Sequence, residues 1–112
     1  MASRSFSRHS ALRNDLAQIW AYIARDNPEA ADRVVKAILR AVALIKTAPE
    51  ESPLYPINDP ELDGILRRKV VTEFKRRYLV FYTVTDEAVR VLYAHQASLP
   101  VEKRLEDEPP RA

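Results

Sequence analysis

Residues 64–96, GILRRKVVTEFKRRYLVFYTVTDEAVRVLYAHQ, interleave three apolar runs rich in Val, Leu, Tyr and Phe with two basic triplets. The runs 65–72, 78–85 and 88–96 have the composition of β-strands, and charged residues separate them. Thr85, Asp86 and Glu87 form a break short enough for a tight antiparallel hairpin, although it holds no glycine. The turn after the first run is broader, with Phe74 set among the charges. In the second run Tyr78, Val80, Tyr82 and Val84 share one face, and Leu79, Phe81 and Thr83 the other. In the third, Val89, Val91, Tyr93 and His95 alternate with Arg90, Leu92, Ala94 and Gln96. Both faces are fairly apolar. One is therefore expected to cover a second layer, and the other to stay partly open or meet a partner; the alternation does not say which is which.

Working outward, the second layer lies N-terminal to the sheet. Leu12, Leu16, Ile19, Trp20 and Ile23 fall within an arc of roughly 100° on a helical wheel, the width of a core-facing stripe. Ser10 is the expected N-cap. Asn27 and Pro28 punctuate the pattern, because asparagine caps well and proline at a first helical position gives up only an N–H that would be unpaired anyway. A second helix is expected from Pro28 to about Thr47, its stripe built from Ala31, Val34, Val35, Ile38, Ala41, Val42 and Ile45. The short connection implies an antiparallel hairpin. Residues 4–8, RSFSR, can add an edge strand.

Residues 47–63, TAPEESPLYPINDPELD, hold four prolines and five acids. They read as a long surface connection, partly mobile, lying beside the basic sheet as solvated charge or as a shield that a target displaces. The expected architecture is α+β: a helical hairpin packed on a small, mainly antiparallel sheet of three or four strands, in the order β-α-α-β-β-β. Residues 1–98 form the domain, and 99–112 a short helix after Pro100 or a frayed tail.

Composition narrows the function. The chain has 112 residues, 46% of them hydrophobic and 30% charged, which suits one modest core. It has no cysteine and two histidines, so disulfides, thiol nucleophiles and cysteine metal sites are excluded, and neither a metal nor a cofactor is expected. No apolar run approaches the roughly 20 residues that span a bilayer, and MASRSFSRHS lacks the apolar region of a signal peptide, so the expected location is the cytoplasm. The net charge of +2 is unevenly spread: residues 64–98 carry seven basic side chains against three acids. That excess speaks about partners rather than fold. The candidate contacts are Arg67, Arg68, Lys69, Lys75, Arg76, Arg77 and Arg90, whose other reading is an edge made basic to discourage aggregation.

The segment DLAQIWAYIARDNPEAADRVVKAI resembles the helical hairpin of the RelE/ParE toxins of bacterial type II toxin–antitoxin systems. The resemblance rests on Asp15, Leu16, Ile19, Tyr22, Ile23, Asn27, Pro28, Ala30 and Ala31. Downstream, Leu66-Arg67, the stretch YLVFY at 78–82 and Val-Leu-x-x-His at 91–95 follow in the family's order. The match spans roughly residues 10–96 and implies the same α+β topology. It further implies a cognate antitoxin whose disordered segment folds onto the domain, with Trp20, Tyr22, Tyr78, Tyr82 and Tyr93 as candidate contacts. For the ParE branch, which includes plasmid stabilisation proteins, the implied target is DNA gyrase; for the RelE branch it is messenger RNA on the ribosome.

The two branches differ in chemistry. Cleavage through the 2′-hydroxyl needs a base, cations for the phosphate and an acid for the leaving oxygen. Arg67, Arg77 and His95 are the candidates for a minimal site of that kind. The post-strand residues Gln96, Ala97, Ser98, Leu99 and Pro100 lack the arginine and the tyrosine that RelE-like toxins resemble one another in having. No RRM, KH or helix-turn-helix pattern points to independent nucleic-acid recognition. The ParE branch, acting by protein binding rather than catalysis, is therefore the expectation; a ribonuclease and a degenerate, non-toxic homologue are the alternatives. Gly-Arg, common in the family after the second helix, is replaced here by Ser52-Pro53.

Overall fold

The computed structural model describes residues 4–110. Strand β1 (Ser5–Arg8) leads into helix α1 (Ser10–Ala24) and helix α2 (Pro28–Thr47). Strands β2 (Leu66–Val71), β3 (Tyr78–Val84) and β4 (Ala88–Gln96) follow, and helix α3 (Val101–Asp107) closes the chain. The sheet order is β1-β4-β3-β2. β1 runs parallel to β4, and the other pairs are antiparallel. This is the expected β-α-α-β-β-β arrangement.

The helix boundaries follow from their caps. Asn27 accepts a hydrogen bond from the Ala30 amide at 3.0 Å, and Pro28 opens α2 where no donor is needed. At α1 the cap is His9 rather than the expected Ser10: its Nδ1 accepts from the Ala11 amide at 3.0 Å. The same residue donates its backbone N–H to Val91 O at 2.7 Å, so strand pairing ends and the helix begins at one position. The two helices pack on one sheet face around Leu12, Ile38, Val42, Val80, Tyr82 and Val91.

The strict alternation expected along β4 is broken by a bulge. Phe81 pairs with Tyr93 and Tyr82 with Val91, so Leu92 is an extra residue. Val89, Val91 and Ala94 face the helices, whereas Leu92 and Tyr93 both face the opposite side. That opposite side is not open. Leu66, Phe81, Leu92 and Tyr93 are covered there by Val101 and Leu105 of α3 and by Leu62, Tyr55 and Ile57 of the proline-rich connection.

The connection is tied down along the outer edge of β2. Tyr55 N–H donates to Leu66 O at 2.8 Å, and Arg68 N–H to Pro53 O at 3.2 Å. Leu54 pairs with Arg67 as an isolated bridge. The stretch behaves as a short surrogate strand that occupies an edge otherwise free to aggregate. Gly64, at φ +85°, makes the turn back into β2 in a conformation that other residues rarely adopt. The C-terminal segment is docked as far as it is described, with α3 against the sheet; residues 111–112 of the expected tail lie outside the described residues.

Candidate functional site

The two basic triplets do not form one surface. Residues of β2 alternate across the sheet, and Arg67 stands opposite Tyr82 on the helix-facing side. Its guanidinium donates to Ser52 O at 2.6 Å and to Glu50 O at 3.2 Å, and the Tyr82 hydroxyl donates to Pro49 O at 2.7 Å. Arg67 therefore anchors the acidic connection. Arg68 points to the other face, over the Tyr55 ring at 5.4 Å. Lys69 stands opposite Val80, and Arg90 donates to Pro110 O at 2.5 Å. Of the expected basic contacts, Lys75, Arg76 and Arg77 are the three that sit exposed at one place, the turn between β2 and β3. Phe74, Lys75 and Arg76 have φ of +54°, +57° and +57°, three successive left-handed residues without a glycine.

The ribonuclease candidates are not brought together. His95 pairs with Leu79, and its ring meets Phe81 edge-on at 6.0 Å on the face that α3 covers. Arg67 lies on the opposite face of the sheet. His95 Nε2 lies 2.9 Å from Leu99 O, and the side chain is largely buried, so it holds the turn after β4. Arg77 is in the exposed turn. A base, an acid and a cation cannot meet one phosphate across a sheet.

The five aromatic candidates also separate. Tyr82 and Tyr93 have no exposed surface, which corrects their expected place in a partner interface: both are core residues whose hydroxyls are spent on Pro49 O and Glu108 O. Trp20 is turned toward α2, its indole N–H donating to Asp32 at 2.8 Å. Tyr22, 72% exposed, lies on another side of α1 and shares a groove with Tyr78. This groove, of about 610 Å³, runs between α1 and the end of β4 and is also lined by Gln18, Ile19, Ala94 and Leu99. It opens where β1 stops: β1 pairs with β4 only as far as Val91. A second trough of about 400 Å³, lined by Tyr22, Tyr78, Gln96 and the basic turn, adjoins it.

The floor of the larger groove is an ion pair between buried Asp15 and partly buried Arg104. One oxygen of Asp15 accepts from the Ala94 N–H at 3.0 Å, satisfying a β4 amide that β1 does not reach. The other pairs with the Arg104 guanidinium, which also holds Glu108 at 2.8 Å and stacks over Tyr93 at 4.3 Å. Burial raises the Asp15 carboxyl above its ordinary range despite Arg104 and the Ala94 amide. Burial also works against the Arg104 charge, but Asp15 and Glu108 outweigh it and hold the guanidinium above its usual value. Arg104 is the site residue that sequence reasoning missed; it comes from α3, and no local pattern joins it to Asp15. Among the described residues no group of three or more His, Asp or Glu side chains could hold a metal ion, and no helix is long and apolar enough to cross a membrane.

A family model described as the ParE toxin of type II toxin-antitoxin system, parDE, matches residues 8–97. No curated protein matches the sequence. Among solved structures, one titled "Chromosomal ParDE TA system from P. aeruginosa" is similar with a TM-score of 0.65 and 17% identity, over 83% of this chain and 95% of that one. At that identity the likeness shows a shared fold.

Proposed function

Because the chain belongs to the ParE toxin family of type II toxin–antitoxin systems, we propose that it inhibits DNA gyrase by binding the enzyme, acts in the cytoplasm to arrest growth, and is neutralised by a cognate antitoxin. The match over residues 8–97 carries the assignment to this family. The separation of Arg67 and His95 onto opposite faces of the sheet supports the protein-binding reading over ribonuclease chemistry. The antitoxin contact is best supported at the groove beside Tyr22 and Tyr78, where Ile19 and Leu99 offer apolar surface next to a β4 edge that β1 leaves unpaired. An extended segment laid there gains main-chain hydrogen bonds and side-chain burial together.

The test is induction of the chain in a bacterial host without antitoxin, with the DNA damage response and transcript integrity scored in parallel. The expected result is growth arrest with DNA damage and intact messengers. Transcript cleavage that disappears in Arg67→Ala or His95→Ala would overturn the reading. So would unimpaired growth in several hosts.

A further inference from the structure

The turn between β2 and β3 is built at an energetic cost. Three successive non-glycine residues, Phe74, Lys75 and Arg76, stand at φ of +54° to +57°. Each such residue costs about 1–2 kcal/mol relative to the right-handed form, and a glycine would relieve it. Strain kept in place by surrounding structure concentrates where a surface has a task. Here the surrounding structure is visible: Phe74 is anchored against the helix-side core, and this leaves Lys75, Arg76 and Arg77 on the outside.

Among the described residues those three cations have no counter-ion. None is in an ion pair or a side-chain hydrogen bond among the described residues. The one carboxylate in the turn, Glu73, is drawn away to Arg40 of α2 at 3.0 Å. The cations border the trough of about 400 Å³ whose other wall holds Tyr22 and Tyr78, and whose only aliphatic lining residue is Ala97.

From this combination we infer that the trough is a binding site for single-stranded nucleic acid, with Lys75, Arg76 and Arg77 on the phosphates and Tyr22 and Tyr78 offering ring faces to the bases. The chemistry separates this occupant from an acidic peptide. A protein partner is held mainly by side chains buried among apolar groups, and the aliphatic lining here, Ile19 and Leu99, belongs to the adjoining groove rather than to the trough. A single strand needs backbone-tracking cations and aromatic platforms, and the trough has both. A duplex keeps its bases stacked inside and cannot use the rings. The inference stands on the trough alone and holds whether or not gyrase is the target.

Fluorescence anisotropy of the full chain with labelled single strands tests it, using DNA and RNA of one sequence, a matching duplex and a polyglutamate peptide as probes. Either single strand should bind more tightly than the duplex or the peptide, and the DNA-to-RNA ratio identifies the source of the strand. Three phosphate contacts at about −0.7 each predict a slope of roughly −2 in log affinity against log salt. Lys75→Gln/Arg76→Gln/Arg77→Gln should weaken binding at least tenfold, and Tyr22→Ala about fivefold or more. Removing equal charge elsewhere, with Arg13→Gln/Arg33→Gln/Lys36→Gln, should leave it unchanged, and circular dichroism of each variant separates misfolding from lost contacts. The inference is overturned if neither strand binds at about 50 mM salt, if the control variant loses as much as the turn variant, or if the duplex or peptide binds as well as the strands.

Discussion

At the scale of single residues, the pair Asp15–Arg104 shows how a buried charge is tolerated. Asp15 is useful to the fold because β1 ends too early to satisfy the Ala94 amide, and the carboxylate fills that vacancy. Its second oxygen then requires a cation, which α3 delivers. Removing one member strands the other, so Arg104→Met should destabilise the fold by about 3 kcal/mol in urea unfolding. The pH dependence has a definite sign. Asp15 is raised in the folded state, so its contribution to stability is fully present below the unfolded value of 3.8 and is lost as pH rises through the folded value. Glu73, lowered by its bond to Arg40, acts the other way: its contribution stands above 4.5 and is lost as pH falls through its folded value. Wild type should therefore lose stability relative to Asp15→Asn as pH is raised from about 3 to 7, a trend that paired unfolding titrations can measure. An opposite slope would mean that Arg104 more than offsets the burial of the carboxylate.

At the scale of elements, the helical hairpin was legible because its information is local. Asn27 and Pro28 mark the start of α2 whatever the rest of the chain does, and the end near Thr47 coincides with the first proline of the connection. The strands were found for the same reason, but their faces were not. One extra residue, Leu92, shifts the parity of β4, so Tyr93 and His95 leave the face that Val89 and Val91 share. Alternation read from sequence has no means of registering a bulge, since the pairing partner decides it. The burial of Tyr82 and Tyr93, expected as antitoxin contacts, was hidden for a related cause: a tyrosine with a reachable carbonyl buries as readily as phenylalanine, and Pro49 and Glu108 are distant in the chain. The left-handed turn was equally hidden, because Phe-Lys-Arg carries no glycine or asparagine signal. Its strain gives a prediction at this scale. Lys75→Gly removes the steric penalty but adds freedom to the unfolded chain, so it should stabilise the fold by about 0.5–1 kcal/mol, read from the urea midpoint at unchanged m-value. A loss of stability would show that the Lys75 side chain contributes contacts outweighing its strained backbone.

At the scale of the whole molecule, both faces of the sheet are covered among the described residues. The hairpin covers one side, α3 and the proline-rich connection cover the other, and the same connection occupies the β2 edge. The groove at the end of β4, the adjoining trough and the exposed turn lie together at one end of the sheet. The excess positive charge of residues 64–98, visible in the sequence, is thereby concentrated: Arg67 and Arg90 are committed to backbone carbonyls and Arg68 to an aromatic ring, while Lys75, Arg76 and Arg77 are free to meet a partner. This distribution leaves one end of the sheet for the partners proposed above. The most direct measurement of that account is supercoiling by purified gyrase, with cleaved DNA scored, as the purified chain is titrated in. The account predicts that supercoiling falls and cleaved DNA accumulates, and that added antitoxin reverses both. Undiminished supercoiling at concentrations of the chain that arrest growth when it is expressed would contradict it.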